Sequence, residues 1–371
     1  MPKAKRGHLE DYEKQLLDGA EGEEVMKKMK KSNGQDYELS ALRRYISAIR
    51  TNIVKQLSEK NIRHPDYSLD GLQRYADEEK VKEFMNGSLK VQHEMQRRAM
   101  KLDLSTGARR TIKAIQLLPD NVAAFKLNDE QNKEVKQKAE EALSKKLELP
   151  IVINNTTGLL KEAEWLLENA TAKTPLNKIA IPLLLMSGRR MSEIYSTRST
   201  FTEANPHAAM FTGQLKKPNG ESSSYVIPLL CKFKVFDTAL KLLRERIDIL
   251  DEKAKESAVK KGVPPRKPTS ELSEDEIKKR YQPNMCEDMK KEGENRILTN
   301  LPNRDMRDTR GVTAHDLRGI YAKIVYECFE NQMAFPKVCE KILGHEGPSM
   351  SLNYSHIKIE NYTPKVFGEL P

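Results

Sequence analysis

The chain has 371 residues, 38% of them hydrophobic and 32% charged, with a net charge of +10. That length suits two domains better than one. The composition points to a helical protein with broad solvated faces, and the positive excess makes a polyanion the first partner to test. Cys231, Cys286, Cys328 and Cys339 lie far apart with no C-x-x-C pair. This argues against a disulfide framework or a thiolate zinc site and fits a reducing cytosol. The basic start Met1-Pro2-Lys3-Ala4-Lys5-Arg6 is followed by no apolar segment, so no secretory signal is expected. No apolar run is long enough for a bilayer, and no membrane partner is expected.

In chain order, residues 1–36 are polar, with an Asn33-Gly34 turn, and predict one exposed helix. From Leu39 the spacing of Leu42, Ile46, Ile49, Ile53 and Leu57 predicts an amphipathic helix. Arg43, Arg44, Arg50 and Lys55 fall largely off its apolar face. Such cations either form a solvated surface or contact phosphate, and beside the rest of the chain the second reading is preferred. His64-Pro65-Asp66 marks a loop, residues 69–105 predict further helices, and the Lys/Glu/Gln/Ala-rich stretch 127–149 predicts a long exposed arm. The domain division is expected at 148/149. Ile151-Val152-Ile153 suits a short strand, 154–169 a helix, and the apolar run Ile179–Met186 a buried helix that delivers Gly188-Arg189-Arg190. A β-hairpin follows, with strands at 210–212 and 225–227 around Pro218-Asn219-Gly220. Residues 236–250 predict a helix. Residues 251–281, rich in Lys, Glu and Pro, read as a flexible insertion. Residues 314–330 and 335–345 return to helix.

The chemistry concentrates in the second domain. Tyr354 is a potential nucleophile, though a phenol with an ordinary pKa near 10 needs help from its surroundings. Attack on a phosphodiester builds charge on non-bridging oxygens, which fixed guanidinium groups hold with paired N–H donors. Arg190 and Arg318 are the candidates, with Arg189 a rival for the first role. Lys216, before the hairpin turn, is placed to protonate a leaving 5′ oxygen. Lys217 is its rival on the other face of the strand, or a DNA contact. His315 precedes Arg318 by one helical turn, and His345 follows Leu343-Gly344. Either could hydrogen-bond a phosphate or move a proton. There is no H-E-x-x-H, no G-x-x-x-x-G-K, no G-x-G-x-x-G and no carboxylate cluster suited to a two-metal nuclease. No metal or other cofactor is expected.

Several stretches together resemble the tyrosine recombinase superfamily, and within it the telomere resolvases of phages and plasmids with linear, hairpin-ended genomes. They are Ser187-Gly188-Arg189-Arg190-Met191 with Glu193-Ile194, Gly213-Gln214 with Lys216-Lys217, Arg318 with Ile320-Tyr321-Ala322, and Ile342-Leu343-Gly344-His345 with Tyr354 nine residues on. The likeness is good over roughly 150–360 and faint over 40–60. It implies a mainly α fold with a small antiparallel β-sheet: a helical DNA-clamping domain over 1–148 and a recombinase-like catalytic domain over 149–371. It gives Arg190, Lys216, Arg318, His345 and Tyr354 the catalytic roles, to which His315 is added from the H-x-x-R pattern of ordinary recombinases. It implies two protomers on a palindromic duplex, a 3′-phosphotyrosine intermediate and resealing into hairpins, in the cytoplasm of a bacterial host near its nucleoid. Strand exchange between two duplexes, as by an integrase, is the alternative that His315 keeps open. A non-cleaving DNA-binding regulator on the same fold is the third reading.

Overall fold

The computed structural model describes residues 3–31, 33–148, 150–214, 224–291, 296–302, 312–328, 333–344, 354–360 and 362. The chain divides into two compact units, Met1–Glu141 and Ala142–Pro371.

The first unit is helical: α1 (Lys3–Leu17), α2 (Gly22–Lys28), α3 (Leu39–Glu59), α4 (Glu79–Asn86), α5 (Leu89–Arg98), α6 (Thr106–Ala114), α7 (Asp120–Ala124) and α8 (Asp129–Glu148), within which the division falls. Where polarity predicts a single exposed helix, two form before Asn33, and Tyr12, Leu16 and Val25 enter the core. The apolar stripe of α3 behaves as its period requires: Ile46, Ile49, Ile53 and Leu57 are buried, and Leu42 packs at the edge.

The second unit opens with β1 (Ile151–Ile153) and α9 (Thr156–Glu168), which Asn155 caps by accepting the Gly158 N–H at 2.9 Å. At its centre is α10 (Leu176–Ser187), buried on every side from Ile179 to Ser187 and packed against five other helices. A helix apolar all round belongs inside. It ends at Gly188, left-handed at φ +61°, where a Cβ would lie 2.0 Å from the Tyr321 ring. Only glycine fits both conditions. The short α11 (Met191–Tyr195) follows, then β2 (Thr200–Asn205), β3 (Ala208–Thr212) and β4 (Tyr225–Pro228) in one antiparallel sheet, with Phe201 opposite Phe211 and Phe211 opposite Tyr225.

The stretch 251–281 is not a flexible insertion. Helix α12 (Phe233–Lys260) runs far into it and α13 (Glu274–Lys290) begins within it. The buried Asp251 accepts from Arg266 at 2.9 Å and from Arg280 at 3.3 Å, and also accepts from the Thr269 N–H, while Leu272 and Ile277 reach the core. Lys/Glu-rich composition marks a solvated surface, which an anchored helix has as much as a loose linker does. Helices α14 (Ala314–Cys328) and α15 (Phe335–Leu343) complete the core, and β5 (Ile357–Ile359) pairs in parallel with β1, Ile151 opposite Ile357. Among the described residues no helix is long and apolar enough to cross a membrane.

Candidate active site

Three helix ends meet around one guanidinium. Arg318, on α14, is 2% exposed. Its Nη1 donates to the carbonyl of Gly188, at the end of α10, and its Nη2 to that of Leu343, at the end of α15, at 2.8 Å. A buried arginine is tolerable only when its donors are used in this way, and the same bonds fix its orientation.

Tyr354 lies against this helix. A Cβ at Gly319 would stand 2.6 Å from Tyr354 Cδ1 and 2.4 Å from Ile357 Cδ1, so glycine is what allows the tyrosine segment to approach the backbone of α14. The Tyr354 ring is 2% exposed, and the ring of His315, itself exposed, stands 5.4 Å from it. Burial pushes the phenol above its ordinary value, while a hydrogen bond and charge from Arg318 and the charge of Arg190 pull the other way. Burial wins. The hydroxyl is therefore protonated at neutral pH, and attack by it requires a group to take that proton.

The two neighbouring arginines separate. Arg189 is 1% exposed, with Nε on the Ser187 carbonyl at 3.2 Å, Nη1 on the Tyr225 hydroxyl at 2.6 Å and Nη2 on the Ile342 carbonyl. Its guanidinium also stands over the Phe211 ring at 4.8 Å. It is a strut joining α10, the sheet and α15. Arg190 begins α11 instead: Glu193 accepts its backbone N–H and its Nη1, both at 2.9 Å, and its side chain keeps 16% exposure. Glu193 is fully buried, and although burial alone would raise it, the charges of Arg189, Arg318 and Arg190 hold its carboxyl below the usual range. Three guanidinium groups around one carboxylate leave surplus positive charge beside Tyr354, which a phosphodiester would balance.

Of the residues picked out by sequence, Arg190, His315, Arg318 and Tyr354 are thus brought together. Lys216, Lys217 and His345 lie outside the described residues. In the first unit Arg43, Arg44 and Lys55 are exposed. Arg50 is a correction: it points inward and donates to the carbonyls of Ala123 at 3.4 Å and Phe125 at 3.3 Å, so burial pulls its pKa down and its donors serve the fold. Gly319, Asp316 and His356 escape a reading of the sequence as site residues, and Glu193 appears there only as part of the Arg190 motif. Asp316 has a local signal, three residues after Thr313 at a helix start. Among the described residues no group of three or more His, Cys, Asp or Glu side chains could hold a metal ion.

The model of the telomere resolvase ResT/TelK catalytic domain matches residues 148–357. A structure of protelomerase TelK complexed with substrate DNA superposes with a TM-score of 0.62 at 16% identity, covering 91% of this chain and 72% of that one. Protelomerase TelA matches with a TM-score of 0.50 at 19% identity over 84% of this chain and 95% of its own, both covalently complexed with substrate DNA and, as an arginine mutant, with a DNA hairpin product. At these identities the structural matches speak for the fold. No curated protein sequence matches the chain.

Proposed function

This chain belongs to the telomere resolvase family, and from that premise we propose that it cuts a palindromic DNA duplex through Tyr354 and reseals the ends as covalently closed hairpins. The observation that carries the reading is the placement of Tyr354 against α14, the helix of Arg318, where the charges of Arg318 and Arg190 both act on its phenol.

The Tyr354 oxygen attacks phosphorus, and Arg190 and Arg318 hold the non-bridging oxygens as their charge grows. The bond to the 5′ oxygen breaks, Lys216 supplies that oxygen with its proton, and the DNA is left joined to Tyr354 through a 3′-phosphotyrosine. His315 and His345 hydrogen-bond the phosphate or accept the tyrosine's proton. Two protomers on one palindrome make two such cuts. Each free 5′ hydroxyl then attacks the opposite strand's phosphotyrosine, forming the hairpin and releasing the tyrosine. Each phosphodiester is exchanged for another of similar energy, so the cycle balances without nucleotide hydrolysis. Arg43, Arg44, Lys55 and Lys217 contact DNA phosphates. The setting for this reaction is the cytoplasm of a bacterial host, on its nucleoid-associated linear DNA.

The test is a denaturing gel of the product from a palindromic duplex recovered by selection with the full-length chain. Hairpin products snap back after boiling, because each strand is continuous through its end. Products that melt into ordinary single strands, or joints between two different duplexes, would instead establish integrase-type strand exchange.

A further inference from the structure

One carboxylate is shared between the two elements that have to meet in the proposed reaction. At the start of α14, Asp316 Oδ2 accepts the Thr313 N–H at 2.8 Å and the Thr313 hydroxyl at 2.7 Å, and the Thr313 oxygen accepts the Asp316 N–H at 3.3 Å. This reciprocal cap fixes the first turn of the helix that carries His315 and Arg318, and it uses only one carboxylate oxygen. The other, Oδ1, lies 3.5 Å from Nε2 of His356, two residues beyond Tyr354. His356 is 5% exposed, and its Nδ1 has no hydrogen-bond partner among the described residues. Its polar character is thus used at one end only, towards Asp316. A carboxylate cannot donate, so the imidazole proton that makes this contact sits on Nε2.

Other contacts also hold the tyrosine segment. The ring packs on Gly319, and β5 continues onto β1. Apolar packing is non-directional, and the bonds to β1, which begin where the Ile151 N–H donates to the His356 carbonyl at 2.9 Å, hold backbone only. The contact between His356 and Asp316 is a directional side-chain contact between the tyrosine segment and the first turn of α14. Although burial would raise the Asp316 carboxyl, the hydrogen bonds from His356 and Thr313 hold it below its ordinary range. At 3.5 Å the contact is at the long end of the range for such a pair.

We propose that Asp316 and His356 are positioning residues, which set the orientation in which Tyr354 meets Arg318 by joining the capped first turn of α14 to the turn that follows the nucleophile. The inference rests on the proposed role of Tyr354. The link touches neither DNA nor the reacting atoms, so its loss lowers the rate of cleavage and leaves DNA affinity alone.

The experiment is single-turnover cleavage by the full-length chain of the selected palindromic duplex, with DNA affinity and thermal melting measured on each variant. His356→Phe fills the space without the donor, and should cut slower by on the order of 10²-fold at unchanged affinity, the cost of misplacing a reacting group by about 1 Å. His356→Gln can place an amide near the position of Nε2 and should recover most of the rate, whereas His356→Asn, which mimics Nδ1, should not. A Phe variant at the wild-type rate, or Gln and Asn variants equally slow at equal melting temperature, overturns the proposal. Tyr354→Phe, run alongside, separates the two levels. If it still forms a covalent adduct, the nucleophile is misassigned and the positioning role goes with it. If it is inactive while the His356 variants cut normally, the positioning role alone is wrong.

Discussion

Among the described residues of 142–371, two arginines, Arg189 and Arg318, are buried together with Glu193 and Asp251. Among the described residues of 1–141, Glu13 is the one buried Lys, Arg, Asp or Glu side chain, and it accepts from Asn52 at 2.7 Å, while Arg43, Arg44 and Lys55 stay in water. The contrast separates two uses of positive charge. A solvated cation loses little when it displaces a condensed counterion from a phosphate, and it tolerates many geometries. A buried one is costly to desolvate and is worthwhile where fixed geometry matters, because it is then already oriented when charge develops. The first unit carries charge suited to holding a duplex and the second carries charge suited to reacting with one.

The sharpest way to break this contrast is to remove the oriented charges. Arg318→Ala and Arg190→Ala should each slow cleavage by roughly 10²–10³-fold, the usual cost of one preorganised donor, while DNA affinity measured by filter binding hardly moves. If either variant cleaves normally, that arginine is not part of the chemistry. Arg189 is expected to differ from its neighbour. Its donors are spent on Ser187, Tyr225 and Ile342, so Arg189→Ala should reduce stability by about 3 kcal/mol, as broken buried charge contacts do, measurable by denaturant unfolding. An Arg189 variant of normal stability with lost cleavage would reverse the assignment of the pair.

The adjacent arginines also show how far the sequence could be read. The Gly188-Arg189-Arg190 motif announced a phosphate-binding guanidinium, but two side chains one residue apart look alike until the chain is folded. What separates them is a left-handed Gly188 that sends Arg189 under the Tyr225 hydroxyl and leaves Arg190 to start α11. Helix α3 and the apolar α10 were legible because periodicity and uniform burial are local signals. The contact between Asp316 and His356 was not, because it joins elements forty residues apart on a polar pattern with no period. Residues 251–281 were misread for a related reason: one buried Asp251, bonded by Arg266 and Arg280, holds in place a stretch whose composition is otherwise that of a linker.

Smaller effects sharpen the contrast from the other side. Arg43→Ala and Arg44→Ala should each lower the slope of log affinity against log salt by about 0.9 per lost phosphate contact, with the cleavage rate of bound complex intact. Arg50→Ala should leave that slope unchanged and weaken the fold, since its donors go to Ala123 and Phe125. An altered salt slope for Arg50 would show that it reaches DNA after all. The smallest effect is in acid. The Asp316 carboxyl is held below its ordinary value, so its contribution to stability is complete above the unfolded carboxyl's pKa of about 3.9 and is lost as pH falls from there through the lower folded value. Asp316→Asn should therefore show a shallower loss of stability between neutral pH and about pH 3 than the wild type, in parallel denaturant melts. Identical acid profiles would mean that the carboxyl is not held by its partners.

The most direct test of the whole account is the identity of the residue that becomes attached to DNA. A nicked palindromic duplex, in which the broken strand diffuses away after cleavage, traps the covalent intermediate. Proteolysis and mass spectrometry then locate the nucleotide adduct. The account predicts a phosphodiester on the Tyr354 hydroxyl, formed by the wild type and absent from Tyr354→Phe. An adduct on another residue, or hairpin products formed with no protein-linked intermediate, would contradict it.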